Sequence, residues 1–190
     1  MQFPEALRVQ DANLRYQPTH RLHAGNQSLG IGPRSVAFAV AKPYPGWIQW
    51  SSFFRSVLDL ILSTSAIAHT ERVGLRYINL FSGRILERLN LQISVTGTRL
   101  TGEPTNLRTE IQGSGITRVL QVANSAGVTV NGKAIRASVV DIDCVLNIEE
   151  DGESFGEVYW DIVTNAHEKE KTLFFSLLTD EFVNSLNPAY

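Results

Sequence analysis

Two pairs of charged residues are the strongest candidates for chemistry in this sequence. Asp141 and Asp143 alternate with apolar residues along the segment 138–148, which places both carboxylates on one strand face with Cα atoms roughly 7 Å apart. Paired carboxylates could hold a divalent cation or transfer protons. The sequence contains no third potential metal ligand at a spacing that would indicate a cation site. Because Arg72 and Arg76 share a strand face in the same way, a structural network of ion pairs is the favoured interpretation.

The two arginines interrupt an otherwise apolar segment, RVGLRYIN at 72–79. A guanidinium or carboxylate that is buried without a partner destabilises a fold. We therefore expect Arg72 and Arg76 to lie on the same sheet face as Asp141 and Asp143 and to approach them. If the four side chains meet inside a cleft, they form a candidate ligand site; if they are fully covered, their role is structural.

Other residues that could carry chemistry lack the spacing it requires. His20 and His23 form the one close pair of histidines, but no HExxH or CxxC pattern exists, so the sequence predicts neither a metal site nor a cofactor. The glycines at 30–33 are not followed by Lys-Ser or Lys-Thr, as a phosphate-binding loop would require, and no G-x-S-x-G elbow is present. Cys144 falls on the apolar face of its strand and is interpreted as a core residue. Whether the chain is an enzyme stays open, with a non-catalytic role favoured.

Length and composition predict one soluble globular domain over residues 1–190, with 1–34 partly irregular. The chain has 43% apolar and 19% charged residues, and no apolar run approaches the ~20 residues that span a bilayer. A single cysteine cannot form an internal disulfide, and the N-terminus lacks a signal-peptide pattern, so we expect a cytoplasmic protein without membrane contact. A pI near 6.1, with aromatic and basic residues not interleaved, argues against direct nucleic-acid binding.

Charge is distributed unevenly along the chain. Residues 1–140 contain 15 basic and 7 acidic residues, whereas residues 141–190 contain 2 lysines and 12 acidic residues. The favoured interpretation pairs the acidic end with the basic part inside one fold. The alternative is an interface to a protein partner or to a second copy, supplied by four acidic residues that follow the predicted strand: Glu149, Glu150, Asp151 and Glu153.

The periodicity of apolar residues predicts two helices and several strands. Apolar residues at Trp50, Phe54 and Ile61 follow helical spacing within a helix at about 47–63, and a second helical region runs over 156–187 with a kink near Asn165. The acidic stretch 149–153 is predicted to be a loop. The strands are predicted at 6–16, 27–31, 35–41, 72–81, 91–95, 106–112, 117–123, 127–131 and 138–148.

This order of elements predicts an α+β fold. Strands that alternate apolar and polar residues are typical of antiparallel sheets with one buried face. We expect a mostly antiparallel, curved sheet of six to eight strands, packed against the helix at 47–63 and the long C-terminal helix.

Several motifs resemble one bacterial family. They are YPGW at 44–47, RVGLRYIN at 72–79, DID at 141–143, and FF with LTD at 174–180. In this order they are similar to landmarks of a sporadically distributed bacterial family without an assigned biochemical function, whose central signature is Gly-Leu-Arg-Tyr-Ile-Asn. Members of that family begin with a further segment containing strands, so the chain resembles an N-terminally short member. A missing strand would leave an open sheet edge, which invites pairing with another chain.

Two classes of function are consistent with these observations. The first is a non-catalytic interaction protein that binds another macromolecule, in a toxin–antitoxin or phage-defence setting that the patchy distribution of the family implies. The second is a small-ligand-binding or hydrolytic domain with a pocket between the sheet and the C-terminal helix. The charge segregation and the possibility of an open edge favour the first class.

Overall fold

The chain forms two compact units in a computed structural model that describes residues 16–113, 115–130 and 133–187. The first unit is Met1–Thr64 and the second is Ser65–Tyr190. The prediction of a single domain stays a prediction. Of the region expected to be partly irregular, 1–15 lie outside the described residues and most of 20–32 is strand. None of the helices in the described part is long and apolar enough to cross a membrane.

The first unit combines a three-stranded antiparallel sheet with one helix. The strands are in the order β1-β2-β3, and the helix α1 follows them. As predicted, Trp50 and Phe54 are buried, while Ile61 is half-buried. The ring of Phe54 lies 6.0 Å from that of Phe38 on β3, so the apolar helix face packs on the sheet. The elements are β1 His20–Ala24, β2 Gln27–Gly32, β3 Ser35–Val40 and α1 Trp47–Ser63.

The second unit contains a four-stranded antiparallel sheet in the order β4-β9-β8-β7. A small hairpin of β5 and β6 and a 3₁₀ helix at Leu86–Arg88 lie in the connection between β4 and β7. The strands are β4 His69–Phe81, β5 Ser94–Val95, β6 Thr98–Arg99, β7 Thr105–Gly113, β8 Ile116–Val130 and β9 Lys133–Asp151; the helices are α2 Gly152–Leu177 and α3 Asp180–Ser185.

One face of the four-stranded sheet carries the core of this unit. Val140, Ile142 and Cys144 alternate along β9 and are fully buried, in one apolar cluster with Ala166 of α2. Tyr77, which pairs with Ile142, contacts His167 of α2, so α2 covers this face. The predicted strand at 138–148 and the packing of a long C-terminal helix on the sheet are both confirmed, because period-two and period-3.6 patterns place one apolar stripe on each element.

The predicted α+β class, with antiparallel strands and a long C-terminal helix, is confirmed, whereas the single curved sheet of six to eight strands is not found among the described residues. The nine strands of the described residues form three separate sheets, of three, four and two strands. The strand expected at 91–95 is reduced to two residues, because turns at Gly83 and Gly97 divide the connection between β4 and β7. The expected strands at 117–123 and 127–131 belong, as far as residue 130, to one long strand, β8, which contains a bulge between Ala123 and Ala126; residue 131 lies outside the described residues.

The acidic stretch 149–153 is not a loop. β9 extends to Asp151, because Glu150 and Asp151 pair with Thr70 and His69 of β4. The helix α2 begins at the next residue, and the side chain of Asp151 accepts a hydrogen bond of 2.8 Å from the N–H of Ser154. Strand pairing and an N-cap therefore replace the loop that composition alone suggested.

The C-terminal helix is interrupted later than predicted. α2 continues through Asn165, and the helical path breaks at Leu178 and Thr179. There the N–H of Thr179 donates to the carbonyl of Arg88, and the Thr179 hydroxyl accepts from the N–H of Phe182. A tertiary hydrogen bond and a new N-cap fix the break, and neither is visible in helical periodicity.

Candidate functional site

The candidate site is a charged network on the sheet face that α2 does not cover. Arg76 of β4 donates two hydrogen bonds to Asp141 of β9, from Nε to Oδ1 at 2.8 Å and from an Nη to Oδ2 at 2.5 Å. Arg72 lies 3.7 Å from Asp143, measured from its nearest Nη to Oδ2. The structure therefore brings together all four residues proposed from the sequence, on one face and as two ion pairs.

Strand register explains which residues pair. Arg76 lies directly opposite Asp143, and Asp141 lies opposite Ile78, two residues further along β4. The long arginine side chain reaches the diagonal carboxylate, where the planar guanidinium can contact both oxygens at once. Asp143 therefore pairs with Arg72, and this contact, at 3.7 Å, is longer than the contacts between Arg76 and Asp141. The network has one strong pair and one loose pair.

Burial differs sharply between the two members of the strong pair. The side chain of Asp141 is 10% exposed, whereas that of Arg76 is 54% exposed, so the guanidinium covers the carboxylate and itself faces outward. The hydrogen bond with Asp141 raises the pKa of Arg76, against the effect of burial. Burial raises the pKa of Asp143, and the nearby charges of Arg72 and Arg76 oppose that shift. The arginine side of the network is its accessible side.

Gly74 lies on the same strand face between the two arginines. A Cβ at this position would lie 3.6 Å from the nearer carboxylate oxygen of Asp143, which is an ordinary contact distance. A Cβ at Gly74 would thus fit in ordinary van der Waals contact between Asp143 and Arg72. Each guanidinium has further N–H groups besides those directed at its aspartate, so this strand could hold a carboxylate or phosphate of a partner.

The network continues across the sheet as a polar surface. Gln121 of β8 pairs with Asp141, and its side-chain amide lies 3.4 Å from the amide oxygen of Asn106 on β7. On the same face of β7, Arg108 and Glu110 form an exposed ion pair of 2.9 Å. Charged and amide groups thus cover all four strands, which is typical of a face that contacts water or a polar partner.

Metal chemistry finds no support at this network. Within the described residues no group of three or more His, Cys, Asp and Glu side chains is placed to hold a metal ion. Asp141 and Asp143 are both directed at arginines, which compete with a cation for the carboxylate oxygens.

The four acidic residues proposed as an interface lie where β9 becomes α2. Glu149, Asp151 and Glu153 are exposed and Glu150 is half-buried. The hydrogen bond from the N–H of Ser154 lowers the pKa of Asp151. Among the described residues none of the four forms an ion pair with a lysine or arginine. Pairing of acidic with basic regions is therefore seen for Asp141 and Asp143 but not for this segment.

Sequence reasoning missed a buried carboxyl group between α2 and the sheet. Glu170 is 5% exposed, and burial raises its pKa to about 7. It acts electrostatically on Cys144, whose own burial raises the thiol pKa to about 11. The buried Nε of Arg118, which pairs with Cys144 in the sheet, has no hydrogen-bond partner among the described atoms. The available signal was spacing, since Glu170 follows Val163 by seven and Ala166 by four positions on the apolar stripe.

A second buried polar group is structural. The side-chain oxygen of Asn124 accepts a hydrogen bond of 2.8 Å from the N–H of Ile85, and its amide donates to the carbonyl of Glu103. Ser138 donates to the carbonyl of Gly83 and accepts from the N–H of Ser125. These side chains tie the connection between β4 and β7 to the central strands.

Comparison with known proteins gives no assignment. No protein-family model matches the chain, and neither a curated protein nor a solved structure matches it.

Proposed function

We propose that this chain is a non-catalytic interaction protein that binds another macromolecule. The observation that carries the proposal is the position of β4. This strand of 13 residues pairs with β9 on one side, and no described strand pairs with its other side. A bacterial toxin–antitoxin or phage-defence setting rests on the resemblance of the motif at 72–79.

An edge strand presents a row of backbone N–H and C=O groups that an extended segment of a partner can pair with. The side chains of β4 add selectivity to such pairing. Arg72 and Arg76 are accessible on one face, and Ile78 beside them is 56% exposed. Like charges would repel if β4 paired with β4 of another copy, whereas a segment with acidic side chains would gain charge-assisted hydrogen bonds.

The chemistry of the described residues supports binding over catalysis. The buried Cys144 thiol, with a pKa of about 11, stays protonated at neutral pH and is a poor nucleophile. The carboxylates of the candidate site are held by arginines rather than placed beside a nucleophile or an ion.

The proposal is tested by capture of partners from the native host with the full chain as bait. Arg72→Glu reverses one charge on β4, and Arg108→Glu is the matched control, because Arg108 is an exposed partner of an ion pair on the opposite edge strand, β7. We expect wild type and Arg108→Glu to retain the same specific proteins and Arg72→Glu to lose them, with circular dichroism showing that both variants are folded.

Two results would contradict the proposal. One is a wild-type bait that retains no specific protein at low salt, where electrostatic association is strongest. The other is an Arg72→Glu bait that retains the same proteins as wild type.

A small-ligand site is the second candidate function, and the buried groups between α2 and the sheet favour it. Glu170 is buried, and the Nε of Arg118 is buried without a hydrogen-bond partner among the described atoms, which a polar ligand could supply. A thermal-shift screen of small carboxylates and phosphates tests it. A ligand of this site must stabilise the wild type but neither Arg118→Met nor Glu170→Gln, and a screen without such a compound excludes those two ligand classes.

A further inference from the structure

Part of the β8–β9 hairpin extends beyond the four-stranded sheet. β7 pairs with β8 only as far as Asn124, and β4 pairs with β9 only as far as Ser138. Beyond these points β8 and β9 pair with each other alone, from Ala126 opposite Ala137 to Val130 opposite Lys133. We call residues 126–130 and 133–137 the ribbon arm. A bulge separates the arm from the sheet on the β8 side.

The ribbon arm has the features of a docking element. Although Ala137 at its base is buried, no described strand pairs with either outer edge of the arm. A two-stranded ribbon is marginally stable in water, so contact with another surface would stabilise it. Ile135 on one face of the arm is 45% exposed, and Arg136 on the other face is exposed. Residues 121–140 contain two basic residues, Lys133 and Arg136, and no acidic residue. The arm is therefore positively charged and partly apolar.

The opposite end of β9 leads into a segment of the opposite charge. Residues 149–161, which we call the acidic segment, contain six acidic residues and no lysine or arginine. Glu157 and Asp161 are exposed one turn apart on α2, and Val158 between them is 38% exposed. Neither carboxylate pairs with a lysine or arginine of the described chain. The acidic segment thus carries negative charge and an exposed apolar side chain, which complement the positive charge and the exposed Ile135 of the arm.

Within one molecule the arm lies far from the start of the acidic segment. Arg136 and Asp151 belong to the same strand and are 15 positions apart. At a rise of about 3.3 Å per residue they are separated by roughly 50 Å. In two copies placed side by side in opposite directions, however, each arm comes next to the acidic segment of the other copy. Both contacts then form at once, as a two-fold axis requires.

We propose that the chain forms a two-fold dimer in which the ribbon arm of each copy docks on the acidic segment of the other. This inference rests on the proposed function, since it names a second copy as one of the macromolecules that the protein binds. Charge complementarity selects this occupant, because the two surfaces carry opposite charge and occur in equal number in two copies.

The test uses charge exchange between two variants of the full chain. Lys133→Glu/Arg136→Glu reverses the charge of the arm from +2 to -2, and Glu157→Lys/Asp161→Lys reverses the two exposed carboxylates of α2 on which the arm docks. Each alone places like charges at both contacts, and we expect the dissociation constant of the dimer to rise at least about tenfold. An equimolar mixture restores opposite charges at both contacts, so native mass spectrometry should show the heterodimer in preference to either homodimer. Arg108→Glu and Glu181→Lys are controls with exposed charges outside both surfaces.

The mixture also controls for misfolding of the variants, since a variant that fails to fold cannot form a heterodimer. A wild type that is monomeric at both low and moderate salt overturns the proposal. A dimer whose dissociation constant is unchanged by both charge reversals also overturns it. A wild-type monomer that binds duplex DNA through Arg136 does the same. These outcomes leave the proposed function separately testable, because capture of host proteins depends on Arg72 and not on the arm.

Discussion

Replacing Glu170 tests whether the interior of the second unit holds an ionisable carboxyl group. The carboxyl ionises near pH 4.5 in an unfolded chain and near pH 7 in the folded protein, because burial disfavours its charged form. Between these two values the unfolded state releases the proton and the folded state retains it. Rising pH therefore favours unfolding, by about 1.4 kcal/mol for each pH unit.

The expected magnitude follows from the size of the shift. Over about 2.5 pH units the free energy of unfolding falls by about 3 kcal/mol, and above pH 7 the loss stays constant. Glu170→Gln keeps nearly the same shape and cannot ionise. We therefore expect the free energy of unfolding of this variant, relative to wild type, to be about 2–3 kcal/mol higher near pH 8.5 than near pH 5.

Urea unfolding at the two pH values, followed by circular dichroism, gives this difference directly. Glu168→Gln is the matched control, since Glu168 lies on the same helix and is exposed. A stability difference between Glu170→Gln and wild type that is equal at both pH values would refute the reasoning. The same holds if the Glu168→Gln control reproduces the pH dependence.

Three further outcomes are expected from the geometry. Asp141→Asn removes the charge beneath a bidentate guanidinium and should lower the free energy of unfolding by about 1–3 kcal/mol in a urea-unfolding assay. Arg108→Ala breaks an exposed ion pair and should lower it by less than about 1 kcal/mol in the same assay. Asn124→Ala leaves the buried N–H of Ile85 without its acceptor and should cost about 2–4 kcal/mol in the same assay, and a loss below 1 kcal/mol would contradict its structural role. Cys144 should react with a thiol reagent near pH 8 far more slowly in the native protein than in urea, and equal rates would contradict its burial.

Short-range patterns predicted β9, the long C-terminal helix and the charged network of the second unit. Alternation along 138–148 identified β9, and charge placement identified the pairing of Arg72 and Arg76 with Asp141 and Asp143, because both depend on side chains that alternate between two faces. The bidentate choice of Asp141 over Asp143 depends on register, which the sequence of one strand does not contain.

The errors arose where tertiary contacts override local preference. The stretch 149–153 has the composition of a loop, yet pairing with Thr70 and His69 keeps it in β9. Glu170 was missed because charge is normally a sign of exposure, although its spacing placed it on the buried stripe of α2. The division of the strands into three sheets depends on long-range pairing, which periodicity does not encode.

The place of β4 in the sheet also bears on the order in which the second unit folds. β7, β8 and β9 follow one another closely in the chain, since Gly113 pairs with Ile116 and Val130 pairs with Lys133, each three positions later. β4 closes on β9 across a much longer loop, since Phe81 pairs with Ser138, 57 positions later. Contacts between distant parts of a chain require a larger loss of chain entropy, so the β7–β8–β9 meander is expected to form before β4 joins it. Until that late step, the edge of β9 that β4 covers in the native sheet is open to any other strand, and substitutions in β4 are expected to accelerate unfolding more than they slow folding.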